Sequence, residues 1–459
     1  MFETIEIPAW TVWLAGLLAM IGLLDRILMP TVRWYLRRRM NKAIAVLNEK
    51  LQLKIQPFKL TKRRVMIDRL AYDPQVIEAI IEHSQTNQIP YTVVEQMAHR
   101  YAREIVPSFS AAGYFGVAIK IARWLSRSLY RVRLGYADEK ALQAIDPQAT
   151  VVFVMNHRSN MDYILVTYLA ASRSALSYAV GEWARVWPLK PLISSLGAYF
   201  IRRRSRNQLY RRVLARYVQM ATEAGVTQAV FPEGGLTRDG KLKPAKLGLL
   251  NYMVSDFDPE TSRDIYFVPV GLNYDRVLED RVLLASDEDK KNSALRKAMA
   301  FFRFFGRQIA LRITGKFYRF GYASVSFGDP ISFKKFVQSK GPRKHEAITK
   351  ALGKELMSKV GAVIPILPVS LVARVFLSNP KTPMTRDMVI KKCDTQRKQL
   401  LAKGAYMHIP HKNFEYAVEV GLRMLVLRKV IAEKDEKYHL VPDEIPLLSY
   451  YSNAISHLG

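Results

Sequence analysis

His157 and Asp162 stand five residues apart in Asn156-His157-Arg158-Ser159-Asn160-Met161-Asp162-Tyr163. An imidazole beside a carboxylate is the pairing of a general base: the carboxylate holds the ring in one tautomer and stabilises the charge gained with a proton. Such a pair activates an alcohol without a covalent enzyme intermediate. Ser159 has a nucleophile's side chain, but it lies two residues from His157 and the chain has no G-x-S-x-G elbow. It reads as a local hydrogen-bonding or capping residue.

The flanking elements place the pair. Val151-Val152-Phe153-Val154 is a short apolar, β-branched run that predicts a buried strand ending at Asn156. Ile164, Leu165, Tyr168 and Leu169 set a helical pattern from about Met161. His157 therefore falls at a strand's carboxyl end and Asp162 in the first turn of a helix. A helix N-terminus favours a negative group, either Asp162 or a substrate phosphate.

Three further blocks follow: Gly197-Ala198-Tyr199-Phe200-Ile201-Arg202-Arg203, Phe231-Pro232-Glu233-Gly234-Gly235, and Val268-Pro269-Val270 with Asn273-Tyr274-Asp275. In this order and spacing the four blocks resemble those of the glycerolipid acyltransferases. HRSxxDY, FIRR, the EGG variant and VPVxxxYDRV look most like the glycerol-3-phosphate 1-O-acyltransferases. The resemblance covers Ala149 to Glu279 and recurs in Leu447 to Ile455. It implies acyl transfer from a thioester to the sn-1 hydroxyl of glycerol 3-phosphate, with His157 and Asp162 catalytic. It also implies Arg202 as a phosphate ligand and Glu233 as a residue that seats the acceptor, with Arg158, Ser159, Gly234 and Gly235 beside the substrate. The glycine pair lets backbone amides approach an anion.

One position departs from the family pattern. Leu236 stands where the family commonly has arginine directly after the glycine pair. Either Arg238 or Lys246 covers the phosphate instead, or the acceptor differs, lysophosphatidate and dihydroxyacetone phosphate being the alternatives. A non-enzymatic basic adaptor on membrane or nucleic acid is a reading of another class, in which His157 and Asp162 would be replaceable. The donor is acyl-CoA or an acylated carrier protein, with no further cofactor. No metal site is expected, since His408 and His411 straddle Pro410 and do not share a helix face. P-loop and dinucleotide fingerprints are absent.

Charge narrows the partners. Seventy Lys and Arg against 40 Asp and Glu leave a net +30 in 459 residues, an excess that calls for an anionic counterpart. No zinc-finger spacing, RNP-like strand or basic zipper supports nucleic acid, so anionic lipid is the expected partner, and oligomeric state is open. Cys393 is the one cysteine, which rules out an internal disulfide and fits a reducing compartment.

Ile7 to Leu24 is an 18-residue stretch without charge, about 27 Å as a helix, followed by Arg26, Arg33, Arg37, Arg38 and Arg39. The basic flank predicts a cytoplasmic catalytic domain, with the bacterial inner membrane as the fitting compartment, and the leading acids disfavour a signal peptide. The stretch fits a spanning helix or one lying in the interface. Ala294 to Arg312, aromatic and basic without an acid, fits either a core helix or an interfacial one. The expected fold is α/β, a mixed sheet flanked by helices, with helical N- and C-terminal regions and an N-terminal membrane helix. Its parts are a membrane anchor with basic flank (1–40), a helical accessory domain (41–134), the acyltransferase domain (135–345) and a C-terminal helical region (346–459).

Overall fold

A computed structural model describes residues 8–51, 53–170, 175–181, 189–202, 205–285, 306, 319–341, 344–407, 409 and 413–459. The chain divides into two units, Met1–Lys54 and Ile55–Gly459. The first is a single helix, α1 (Ala9–Lys50), with Trp10, Trp13, Leu17, Leu18 and Leu23 exposed. The helix runs past the uncharged stretch Ile7–Leu24 and its basic flank to Lys50. Among the described residues no helix is long and apolar enough to cross a membrane. The aromatic stretch Ala294–Arg312 lies outside the described residues apart from Gly306.

The second unit is built on a mixed sheet. Its strands are β1 (Arg131–Ala137), β2 (Thr150–Met155), β3 (Ser177–Val180), β4 (Tyr199–Phe200), β5 (Gln228–Val230), β6 (Ile265–Tyr274), β7 (Tyr322–Phe327) and β8 (Ile331–Ser332). They run in the order β1-β7-β6-β2-β5-β3-β4, with β8 on β6. Strands β6, β2, β5, β3 and β4 are mutually parallel, β7 and β8 pair antiparallel with β6, and β1 is parallel to β7. All six residues of β2 are buried, as expected of an inner strand of a parallel stretch covered on both faces. The short apolar run therefore predicts β2 well.

Helices cover this sheet: α2 (Arg63–Ala71), α3 (Pro74–Asn87), α4 (Tyr91–Ile105), α5 (Ile119–Leu129), α6 (Met161–Ala170), α7 (Gln208–Glu223) and α8 (His345–Ala362). α3 starts where Asp73 accepts from the amide of Gln75, with Pro74 at the first helical position. Leu70, Val76, Ile80, Val94 and Ala98 of α2–α4 share one core with Val152, Val154, Val213 and Phe267. The region expected as an accessory domain is thus continuous with the sheet's own core. α5 ends at Leu129, and the basic residues Arg131 and Arg133 that follow it lie on β1. The partner of β1 is about 190 residues downstream, so local periodicity carries no sign of it.

The C-terminal region contains α9 (Pro368–Ser378), α10 (Arg386–Ala402), α11 (Phe414–Leu427) and α12 (Ile445–Ser452). It also holds a small antiparallel sheet absent from the sequence reading: β9 (Met384–Thr385), β10 (Ile431–Lys434) and β11 (Lys437–Leu440). Asp435 and Glu436 close the β10–β11 hairpin, both at positive φ. Neither is the glycine that usually advertises such a turn.

Candidate active site

Where β2 ends, Asn156 continues the sheet with its side chain. Its Oδ1 accepts from the Leu272 amide at 2.7 Å and its Nδ2 donates to the Leu272 carbonyl at 2.9 Å. This amide clamp fixes the chain to β6 just before His157. From there the loop folds around one carboxylate. Asp162 Oδ2 accepts from the amides of Arg158 (2.7 Å) and Ser159 (3.0 Å) and from His157 Nδ1 (2.9 Å). Its Oδ1 accepts from the Tyr274 hydroxyl at 2.7 Å. Every partner of Asp162 is a donor, so Nδ1 is the protonated ring nitrogen and Nε2 is left to accept a proton.

The surroundings of His157 are apolar on one side. Its ring stacks on Phe231 at 4.1 Å and meets the edge of Tyr163 at 5.5 Å. Its amide donates to Glu233 Oε1 at 2.8 Å, and its carbonyl accepts from Thr237 N at 3.0 Å. His157, Asp162 and Glu233 are all buried. Ser159 does what a capping residue does: its Oγ accepts from Met161 N and donates to Glu279 Oε2 at 2.7 Å. Glu279 Oε1 also takes the Asn160 amide, and burial pushes this carboxyl up.

Tyr274 and Glu279 are the residues the sequence reading left without a role. Tyr274 opens the YDRV block and Glu279 lies two residues beyond it, and the partners of both are more than a hundred residues away. Tyr274→Phe should lower kcat about ten-fold with both KM values nearly unchanged, since it strips one donor from a buried carboxylate. Steady-state kinetics of the folded variant checks this, and a purely structural role would move KM or stability instead.

Glu233 spans two loops, with Oε1 on His157 N and Oε2 accepting from Lys243 N at 3.2 Å. Burial outweighs these amides and pushes its carboxyl up to about 7. A folded-state value above the unfolded one means stability that is full below the unfolded value and lost as pH rises through 7. The slope should be worth about 3 kcal/mol over that window. Urea unfolding of wild type and Glu233→Gln at pH 5 and pH 8 measures it: the variant should lose less stability between the two. Asp275, buried and likewise pushed up to about 7, leaves a residual slope of the same sign.

The remaining predicted residues are distributed unevenly. Gly234 has a φ of +70°, its amide bonds the Phe231 carbonyl, and the Lys246 side chain lies where a Cβ would stand. That amide is thus committed to the turn, contrary to the expectation of an anion-binding pair at Gly234 and Gly235. Lys246 N bonds the Pro232 carbonyl, and Arg238 is exposed directly after Thr237. Both cations therefore sit on segments hydrogen-bonded to the His157 loop or the Glu233 turn. Arg158 points inward: its Nη1 donates to the Gly240 carbonyl at 2.9 Å and its guanidinium lies 4.9 Å from the Tyr450 ring centroid. Gly240 has a φ of +81° with the Tyr450 carbonyl against it, so a side chain there would break this contact.

Arg202 is placed differently. It follows β4, three strands from β2, or about 14 Å across the sheet. Its Nε and Nη2 bind Glu104 Oε1 at 2.8 Å and Oε2 at 2.6 Å, between the rings of Tyr101 and Tyr210. This bidentate pair pushes the guanidinium further up. No group of His, Cys, Asp and Glu among the described residues is arranged to hold a metal ion, and His408 and His411 lie outside them.

The C-terminal region is tied to the same corner. Arg428 Nη2 binds Asp280 Oδ2 at 2.6 Å, and its Nη1 donates to the Tyr451 hydroxyl at 2.9 Å. That hydroxyl accepts from Val277 N and donates to Asp280. Tyr450 and Tyr451 of α12 thereby hold the segment following β6 and the loop that carries His157.

Two family models match separate stretches of the chain. A family model described as "Acyltransferase" matches residues 137–273, and one described as "Glycerol-3-phosphate acyltransferase C-terminal region" matches residues 310–458. Proteins named glycerol-3-phosphate acyltransferase from Haemophilus ducreyi and Shewanella pealeana are each 26% identical to the chain, over 87% of it and 50% of the relative. The chain spans about half the length of the curated relatives it matches. The crystal structure of the 1-acyl-sn-glycerophosphate acyltransferase from Thermotoga maritima aligns at 16% identity and TM-score 0.32, over 65% of this chain and 96% of that one. The two matched regions take in most of the sheet and the C-terminal region that braces it, so the chain resembles the glycerol-3-phosphate acyltransferases over both parts.

Proposed function

We propose that the chain transfers a fatty acyl group from a thioester donor, acyl-CoA or an acylated carrier protein, to the sn-1 hydroxyl of glycerol 3-phosphate, giving lysophosphatidate, the first step of phospholipid synthesis. The observation that carries this reading is the His157–Asp162 pair at 2.9 Å at the end of the central strand, within the region that matches the acyltransferase family model. His157 Nε2 takes the proton of the acceptor hydroxyl as its oxygen attacks the thioester carbonyl carbon. Asp162 stabilises the imidazolium across Nδ1, and Tyr274 and two backbone amides hold Asp162 in place. Collapse of the tetrahedral adduct breaks the C–S bond, and the departing thiolate takes the proton back from Nε2. The cycle needs no metal and no cofactor besides the donor.

Arg238 and Lys246 hold the acceptor phosphate in this reading, because both lie on segments bonded to the catalytic loop or the Glu233 turn. Arg202, already engaged by Glu104, is left out of the phosphate site. Glycerol 3-phosphate is favoured over lysophosphatidate or dihydroxyacetone phosphate by the YDRV block and its tie to Tyr450 and Tyr451, while Leu236 favours the alternatives. The enzyme works at the cytoplasmic face of a bacterial inner membrane, with α1 and anionic lipid as its attachment.

Acceptor kinetics test the phosphate assignment. Arg238→Ala and Lys246→Ala should each raise the acceptor KM about ten- to hundred-fold, the worth of a charge-assisted contact, and leave the donor KM nearly unchanged. Arg202→Ala should change it less. A large acceptor-selective defect in Arg202→Ala alone would return the phosphate to Arg202, and donor-selective defects would make the basic cluster a donor site.

A further inference from the structure

The feature that the proposed chemistry leaves unused is the outer face of α5. Val117, Ile121 and Trp124 fall at the spacing of one helical face and are 56%, 51% and 57% exposed. Val117 belongs to the π-helical turn Ala112–Ala118, which runs into α5 without a break. The opposite face, Ile119, Ala122, Ser126 and Leu129, is buried. α5 therefore has a satisfied inner side and a second apolar stripe facing outward.

The charges around that stripe indicate its occupant. Lys120, Arg123 and Arg127 flank it, all exposed, and no acidic residue occurs from Ala111 to Ala137. Single exposed apolar residues are ordinary on a protein surface. A tryptophan in an apolar stripe flanked by long cationic side chains is instead the composition of an element lying in a lipid interface. There the indole sits at headgroup level and the guanidinium heads reach the phosphates. An acid-free, tri-cationic border complements an anionic surface and repels none of it.

The face is also coupled to the catalytic corner. Arg127 Nε donates to the Tyr168 hydroxyl at 2.9 Å, and Arg123 and Arg127 both lie over the Tyr168 ring. Tyr168 is on α6, the helix whose first turn carries Asp162. We propose that the outer face of α5, with Val117, Ile121 and Trp124 inserted and Lys120, Arg123 and Arg127 on the headgroups, docks on an anionic bilayer. Docking there sets the catalytic corner at a fixed height over the lipid into which an amphiphilic product departs. This last consequence rests on the proposed acyl transfer, whereas the docking itself does not.

The test reads lipid contact residue by residue in the full chain. Cys393 is buried, so an introduced surface cysteine is the accessible thiol among the described residues. Ile121→Cys is labelled with an environment-sensitive nitrobenzoxadiazole dye, and Glu260→Cys, exposed before β6, serves as the control site. On vesicles containing phosphatidylglycerol, emission at position 121 should rise several-fold, shift to the blue and be quenched by acyl-brominated lipid, with position 260 unchanged. On neutral phosphatidylcholine the change at 121 should be much smaller. A position-121 label that stays in water while the chain is vesicle-bound, or a chain that does not bind these vesicles, overturns the proposal. Equal shielding on neutral vesicles overturns the anionic assignment, and a label already shielded without vesicles makes the face a protein contact. None of these outcomes bears on His157 chemistry, so failure here and failure of the proposed reaction are distinguishable.

Discussion

His157→Ala should lower kcat by about 10²–10⁴-fold, the range lost when a positioned general base is removed. The imidazole is the one group in the loop with a ring nitrogen left over after the Asp162 contact, so the defect should fall on kcat and spare both KM values. Removing the ring also opens a gap against Phe231 and Tyr163, and some loss of stability is expected. His157→Gln therefore belongs beside it, filling most of that space with no base. Equal defects in the two variants, with an unchanged melting transition for His157→Gln, assign the loss to chemistry. Asp162→Asn should be less severe for turnover. It places an amide NH2 or a neutral oxygen where three N–H donors and a hydroxyl converge, so its effect on folding should be the larger one.

The second large effect concerns stability. Arg428 and Asp280 form an ion pair with side chains 8% and 4% exposed, joining α11's end to the segment after β6. Arg428→Met would leave the Asp280 carboxylate buried with the Tyr451 hydroxyl as its remaining side-chain partner, a loss of about 3–5 kcal/mol. The double variant Arg428→Met with Asp280→Asn removes both charges and should recover a substantial part, because the cost lies in the stranded charge. Denaturant unfolding reads both. Since Tyr450 packs on Arg158 and Tyr451 bonds Val277, the single variant should also become protease-sensitive after β11. A single variant within about 0.5 kcal/mol of wild type would mean that the C-terminal region does not brace the site.

These two predictions differ in how far the sequence anticipates them. The His157–Asp162 pair is readable because strand, turn and helix start all lie within thirteen residues, and local spacing carries the geometry. The brace is not, since Asp280 and Arg428 are 148 residues apart. The same distance effect hides the Arg202–Glu104 pair, which converts an expected phosphate ligand into a satisfied one. Arg158 shows a different limit: a charged residue beside a catalytic histidine reads as a substrate contact, yet here it is covered by Tyr450. Strand β1 is hidden in the same way, because its partner β7 is about 190 residues downstream.

The central claim is that this chain acylates glycerol 3-phosphate with His157 as the base. The direct measurement gives the purified 459-residue chain one labelled long-chain acyl-CoA and, in parallel, glycerol 3-phosphate, dihydroxyacetone phosphate or lysophosphatidate, with His157→Gln as the paired control. The expected result is labelled lysophosphatidate from glycerol 3-phosphate, at a rate well above the other acceptors and lost in the variant. Label appearing mainly on lysophosphatidate, or product formed equally by His157→Gln, would contradict it.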